Sequence, residues 1–165
     1  MIPHGEILAL RAEWGLRDDV IEKDYVLGWL LAAIASEARL ADSWVFKGGT
    51  CLRKCYYETY RFSEDLDFTV INRGPQTADE LIPVLESAAD WLRDRSGIEI
   101  EVTPNDVRRR RNRRGNATTV VRVAFRGPRN APTCRRSRST LRAMKSWRHP
   151  SSGGASSTRT VTLLI

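Results

Sequence analysis

Two aspartates one residue apart, Asp65 and Asp67, follow a Gly48-Gly49-Thr50 turn within "VFKGGTCLRKCYYETYRFSEDLDFTV", residues 45 to 70. Residues i and i+2 of a strand share a face, so both carboxylates point one way while Leu66 turns to the core. Held so close they repel, unless a cation stands between them. Oxygen ligands in this arrangement suit Mg²⁺, which keeps several waters and bridges to substrate phosphates. The glycine pair supplies the complementary half, because it lets backbone approach a ligand closely. The first N–H groups of a helix from about Thr50 favour an anion such as a triphosphate. Thr50 adds a hydroxyl donor, and Lys54, one helical turn on, can reach a phosphate as a point charge. A phosphate cradle beside a metal-carboxylate pair is the layout for in-line nucleotidyl transfer from an NTP. Each half alone has a plainer reading, the glycines as an ordinary turn and the aspartates as a solvated edge. Their succession is more specific, because both halves must face one cleft.

These residues need elements to position them. Residues 18–37 carry Val20, Ile21, Leu27, Leu30, Leu31 and Ile34 at helical spacing, with Asp18 or Asp19 as N-cap. "SWVFK" (43–47) is a short apolar strand ending at the glycines, and "TCLRKCYYE" (50–58) a helix of about two turns. "LDFTVI" (66–71) alternates as a strand should, and "TADE" (77–80) is a capping box ahead of another helix. "GIEIEVTP" (97–104) and "ATTVVRVAFRG" (117–127) read as two strands of a hairpin with the basic tip "VRRRRNRRGN" between them. The order predicts an α+β domain, a mixed sheet flanked by helices. Glu22, Lys23 and Asp24 are expected on or near a helix surface. Cys51 and Cys55 are expected as core packing rather than zinc ligands, since His4 and His149 are the only histidines.

With 165 residues, 41% hydrophobic and 28% charged, the chain is expected to be soluble and globular. No apolar run approaches the roughly 20 residues of a membrane helix, and the start lacks the pattern of a secretory signal. The expectation is a cytoplasmic protein with reduced thiols and no membrane partner. The net charge of +7 suggests nucleic acid until it is located. Seven of the 27 basic residues lie in residues 133–165, which have no acid, leaving 20 basic against 20 acidic residues before them. The division is therefore 1–132 as a folded domain and 133–165 as a basic tail expected to be disordered, its "VTLLI" too short to fold alone.

"FKGGTCLRK" and "RFSEDLDF" closely resemble the signature of AbiEii-type nucleotidyltransferase toxins, in the DNA polymerase β-like nucleotidyltransferase superfamily. "IEKDYVLGWLL" (21–31) is similar to the helix that precedes this motif, and the resemblance covers about residues 15–130. It implies an abortive-infection or toxin–antitoxin enzyme with a cognate antitoxin, transferring a nucleotide to an RNA end, tRNA above all. Gly48, Gly49, Thr50 and Lys54 would hold phosphates, Asp65 and Asp67 the Mg²⁺, and Arg61 and Ser63 would shape the nucleotide pocket. Lys54 joins the two aspartates as the implied catalytic set. On that reading Arg108, Arg109, Arg110, Arg111, Arg113 and Arg114 would contact RNA phosphates; the plainer reading is a solvated loop.

The chain departs from the family pattern after about residue 130. A third sheet carboxylate and a helical region with further lysine and aspartate motifs are expected there, yet nothing after Asp106 is acidic. Re-reading codons across residue boundaries from Thr133 permits Leu-Pro-Lys-Val-Lys-Ile-Asp, a strand of the kind the family places next. The expectation is thus a domain incomplete at its C-terminus, with a tail truncated from the pattern or out of frame. The alternatives are a catalytically inactive remnant that binds nucleic acid or an antitoxin, and a product that does not fold stably.

Overall fold

The computed structural model describes residues 1–57, 61–111, 115–129 and 159–165. Its helices are α1 (His4–Trp14), α2 (Asp18–Ser36), α3 (Ala38–Ala41), α4 (Gly48–Cys55) and α5 (Ala78–Ser96). Its strands are β1 (Trp44–Lys47), β2 (Asp65–Val70), β3 (Glu99–Glu101), β4 (Val107–Arg111), β5 (Ala117–Arg122), β6 (Ala124–Arg126) and β7 (Arg159–Leu164). The class is α+β with a mixed sheet and helices, as expected.

Both long helices follow from their apolar stripes. In α2 the buried Ile21, Val26, Leu27, Leu30, Ala33 and Ile34 recur at intervals of one to five, which keeps them on one side. In α5 the same side is built by Leu81, Val84, Leu85, Ala88 and Leu92. The capping box at its start forms as the sequence indicates, Thr77 and Glu80 each satisfying the other's free backbone N–H. At the start of α2, Arg17 rather than an aspartate is the capping residue, and Asp18 and Asp19 lie in the first turn, where carboxylates suit the helix dipole.

The two stripes cover one face of a five-stranded sheet of order β1-β2-β7-β5-β4. All neighbours are antiparallel except β5 and β7, which are parallel. Alternation in β2 sends Leu66, Phe68 and Val70 into the core. Val161 and Leu163 of β7 lie beside them, and Trp44 and Phe46 stack on Phe68 at centroid distances of 5.0 and 5.3 Å. Each such side chain, fully buried, contributes about 1.5–3 kcal/mol.

Two expectations are corrected here. The apolar end of the expected tail is part of the fold: Arg159–Leu164 is the central strand, hydrogen-bonded to β2 on one side and β5 on the other. A five-residue apolar run is too short to be stable alone, but between two waiting strand edges it buries Val161 and Leu163 completely. The rest of that tail, residues 133–158, lies outside the described residues, as do residues 130–132.

The second correction concerns the arginines. Residues 97–127 do double back, but a 3₁₀ turn at Pro104–Asp106, closed by a Thr103–Asp106 capping box, splits the first arm. Its first piece, β3, pairs with β6 in a separate two-stranded sheet, while its second, β4, pairs with β5. Arg108–Arg111 are therefore ladder residues on an edge strand, not a loop tip. Strand alternation divides them between two faces, Arg108 and Arg110 on one, Arg109 and Arg111 on the other. Arg113 and Arg114 lie outside the described residues.

Candidate nucleotide and metal site

The face of the sheet turned away from the core carries the chemistry. Asp65 and Asp67 do share it, as their spacing indicates, because Leu66 and Phe68 take the core positions. Registers across the ladders extend the row: Lys47 of β1 stands opposite Asp67, Asp67 opposite Thr162 of β7, Thr162 beside Val120 of β5, and Val120 opposite Arg108 of β4. One transverse line thus crosses all five strands.

Gly48 closes over this line. It takes φ +85°, a left-handed conformation, and a Cβ there would stand 2.7 Å from Asp67 Oδ2. Only glycine meets both conditions. Gly49, next in the turn, is buried at the start of α4, where a Cβ would make ordinary contact with Ser63 Oγ at 3.5 Å. The Ser63 hydroxyl donates to Asp65 Oδ1, so the serine of the second motif and the glycines of the first do converge.

Two of the expected phosphate groups have other partners. The Thr50 hydroxyl is buried and donates to the Asp65 backbone carbonyl, which pins α4 to β2; its task is to set the distance between the turn and the carboxylates. The Lys54 ammonium points to α2, donating to the Asp24 carbonyl at 3.0 Å and to Asp24 Oδ2 at 3.1 Å. An i+4 position on a two-turn helix brings Lys54 above the turn, but Asp24 captures it.

Two groups of this neighbourhood, Lys47 and Thr162, were not singled out from the sequence, and a third, Glu22, was expected on or near a helix surface but is buried. The Lys47 ammonium is half-buried and donates to Thr160 Oγ1 at 3.2 Å. Burial lowers its pKa below the usual lysine value, and the Asp67 charge opposes that shift. Thr162 donates its hydroxyl to Asp67 Oδ1 at 2.7 Å. Burial pushes the Asp67 carboxyl above the usual range; the Thr162 hydrogen bond pulls it down, the Asp65 charge raises it further, and Lys47 lowers it. The third is Glu22, only 3% exposed. Its Oε1 accepts the Arg129 backbone N–H at 2.8 Å, and its Oε2 lies 3.7 Å from the Arg129 guanidinium.

The run Glu22-Lys23-Asp24, expected on or near a helix surface, is thus a clamp between elements. Glu22 holds the segment after β6, Lys23 binds Glu64 of the second motif at 2.8 Å, and Asp24 binds Lys54 and Arg53 of α4. Arg53 also covers the Phe62 ring, 3.5 Å from its centroid. Through α2, both motifs are fixed relative to each other. Cys51 is partly buried and Cys55 exposed, so the expectation of core packing fails for Cys55.

Asp65, Asp67 and Thr162 form an all-oxygen donor set on neighbouring strands. A divalent cation would offset both the burial and the Asp65 charge that disfavour ionised Asp67. Among the described residues no group of three or more His, Cys, Asp or Glu side chains is placed to hold a metal. A Mg²⁺ held by these oxygens would draw its remaining ligands from substrate phosphates and water.

A glycine turn thus stands over a strand-borne carboxylate pair. The chain belongs to the family described as nucleotidyl transferase AbiEii toxin, type IV toxin–antitoxin system, whose pattern matches residues 29–134. That match spans the glycine turn, Lys54 and the two aspartates. Membership implies an antitoxin partner. No curated protein and no solved structure matches the chain. Among the described residues no helix is long and apolar enough to cross a membrane.

Proposed function

We propose that this chain is a Mg²⁺-dependent nucleotidyltransferase of polymerase β-like architecture that transfers a nucleotide from an NTP to an RNA end, with tRNA as the foremost acceptor, acting in the cytoplasm as the toxin of a two-gene system. The observation that carries it is the approach of Gly48 to Asp67: backbone that can receive phosphates lies directly over a paired carboxylate. An RNA hydroxyl oxygen attacks the α-phosphorus and gives up its proton to water, the bond between that phosphorus and the β-phosphate oxygen breaks, and pyrophosphate leaves. Mg²⁺, held by Asp65 and Asp67, would neutralise the phosphates and favour the ionised hydroxyl. Gly48 and Gly49 admit the phosphates, Lys47 adds a positive charge beside them, and Ser63 orients Asp65. Lys54, bound to Asp24, ties α4 to α2.

Incubating the protein with labelled NTPs, Mg²⁺ and total tRNA tests this, with Asp65→Ala and Asp67→Ala as controls. Incorporation that both substitutions abolish supports the assignment, and unchanged turnover in both refutes it.

One observation favours a second reading, a nucleotide- or RNA-binding remnant without turnover. The strand beside the carboxylates offers Thr162 at their level, and a hydroxyl is a weaker metal ligand than a third acid. Salt-sensitive RNA binding with no incorporation by the folded protein distinguishes that reading.

A further inference from the structure

We propose that the 3′ strand of the RNA acceptor leaves the carboxylates sideways across the sheet, passing over β7 and β5, and that Arg122, Arg108 and Arg110 bind its phosphates. The inference rests on the nucleotidyl-transfer reading and adds the acceptor's path, its length and the residues that hold it.

Register carries the argument. Arg108 lies in the row of Asp67, three strands away across β7 and β5. Arg110 lies in the next row, with Thr118, Thr160 and Thr69. Arg122 lies in the row of Asp65, beyond Leu164. All three arginines are exposed, and none forms an ion pair within the described structure. Among the described residues, this face presents Thr160, Thr162, Leu164, Thr118 and Val120 between them and the aspartates, with no carboxylate. An anionic strand there meets repulsion at Asp65 and Asp67, which a metal would offset, and attraction at the far edge.

Distance sets the length. Strands about 4.8 Å apart place β4 about 14 Å from β2. At a rise of about 3.4 Å per stacked nucleotide, that is about four nucleotides from the reacting end. On this face Val120 and Thr162 are buried beneath their neighbours, while Thr118, Thr160 and Leu164 are partly exposed. A single strand would therefore meet the floor at these three and the arginines at its rim. Arg109 and Arg111 take no part, because alternation turns them to the opposite face.

The test uses the full chain and labelled oligoribonucleotides, a dinucleotide and an octanucleotide, with affinity read by fluorescence anisotropy across a salt series. Losing three phosphate contacts should weaken octanucleotide binding by about tenfold or more and flatten the logarithmic salt slope by about 2 units. That is the result expected of R108Q/R110Q/R122Q and of its charge-reversed counterpart R108E/R110E/R122E, with dinucleotide binding unchanged. R109Q/R111Q should shift octanucleotide affinity by less than about threefold. Equal losses from both sets, or octanucleotide binding retained by the triple variants, overturn the path. Circular dichroism confirms that each variant is folded, and the glutamine series stands in where charge reversal prevents folding. Absence of NTP turnover with this binding pattern intact defeats the transfer reading alone. Turnover without the pattern defeats the path alone.

Discussion

Lys47 and Asp67 stand opposite one another across the antiparallel pair of β1 and β2, the last residue before the glycine turn facing the second carboxylate of the next strand. On the proposed reading, the pair joins the phosphate side of the site to its metal side across one rung of the ladder. Each charge is disfavoured by burial and favoured by the other, so neither can be removed without altering its neighbour.

Replacing Asp67 by Asn removes a carboxylate that burial and Asp65 both disfavour, while the amide oxygen can still accept from Thr162. In EDTA the Asp67→Asn protein should be at least as stable as the parent, by up to about 1 kcal/mol. Added Mg²⁺ should raise the parent's melting temperature and leave that of the variant unchanged. Equal Mg²⁺ stabilisation of both proteins, measured by thermal denaturation, counts against Asp67 as a metal ligand.

Gly48→Ala forces a Cβ into a left-handed backbone and against Asp67 Oδ2. The conformational cost alone is about 1–2 kcal/mol, and relief of the contact must displace the carboxylate. Urea unfolding should show at least that loss, and nucleotide transfer should fall further than stability does. A variant of parental stability and activity would show that the turn tolerates a side chain.

Glu22→Ala leaves the Arg129 backbone N–H and guanidinium without their buried acceptor. The expected destabilisation is about 1–3 kcal/mol, read by chemical denaturation. Arg129→Ala, which keeps the backbone N–H bonded to Glu22, should cost less. The reverse order would place the weight of the contact on the guanidinium.

The thiols of α4 should differ sharply. Burial, with Cys55 adding to it, pushes the Cys51 thiol up to about 11. Since only the thiolate is alkylated, iodoacetamide near neutral pH should modify the exposed Cys55 well before Cys51, as peptide mass mapping would show. The folded value lies above that of the unfolded chain. The stability contributed by the protonated Cys51 is therefore complete below the ordinary thiol pKa and lost as pH rises through about 11. Modification of Cys51 at a rate equal to that of Cys55 at pH 7 would contradict this.

Local chemistry was legible in the sequence: the stripe of α2, the capping box of α5, the alternation of β2 and the glycine turn all depend on residues a few positions apart. What escaped depends on strand register. Lys47 sits in the quoted motif, but its place opposite Asp67 is fixed by the ladder between β1 and β2. Arg108–Arg111 read as one cluster until pairing with β5 sorts them by parity. Lys54 has the right spacing for a phosphate, but a competing carboxylate on α2 lies 30 residues away in sequence. Glu22 belongs to a charged triplet whose members look equally exposed, and only the chain after β6 makes one of them a buried acceptor.

The position of β7 sets the order in which the molecule can be finished. Asp67 and its partner Thr162 are 95 residues apart, and until residues 159–164 are synthesised β2 and β5 each keep an open inner edge. Closing so long a loop is entropically slow, and an open apolar edge invites pairing with other chains. The carboxylate row is therefore among the last features to assemble, and a chain still emerging from the ribosome carries its glycine turn and aspartates without the strand that sets them in line. The proposed site is therefore incomplete until residues 159–164 have joined the sheet.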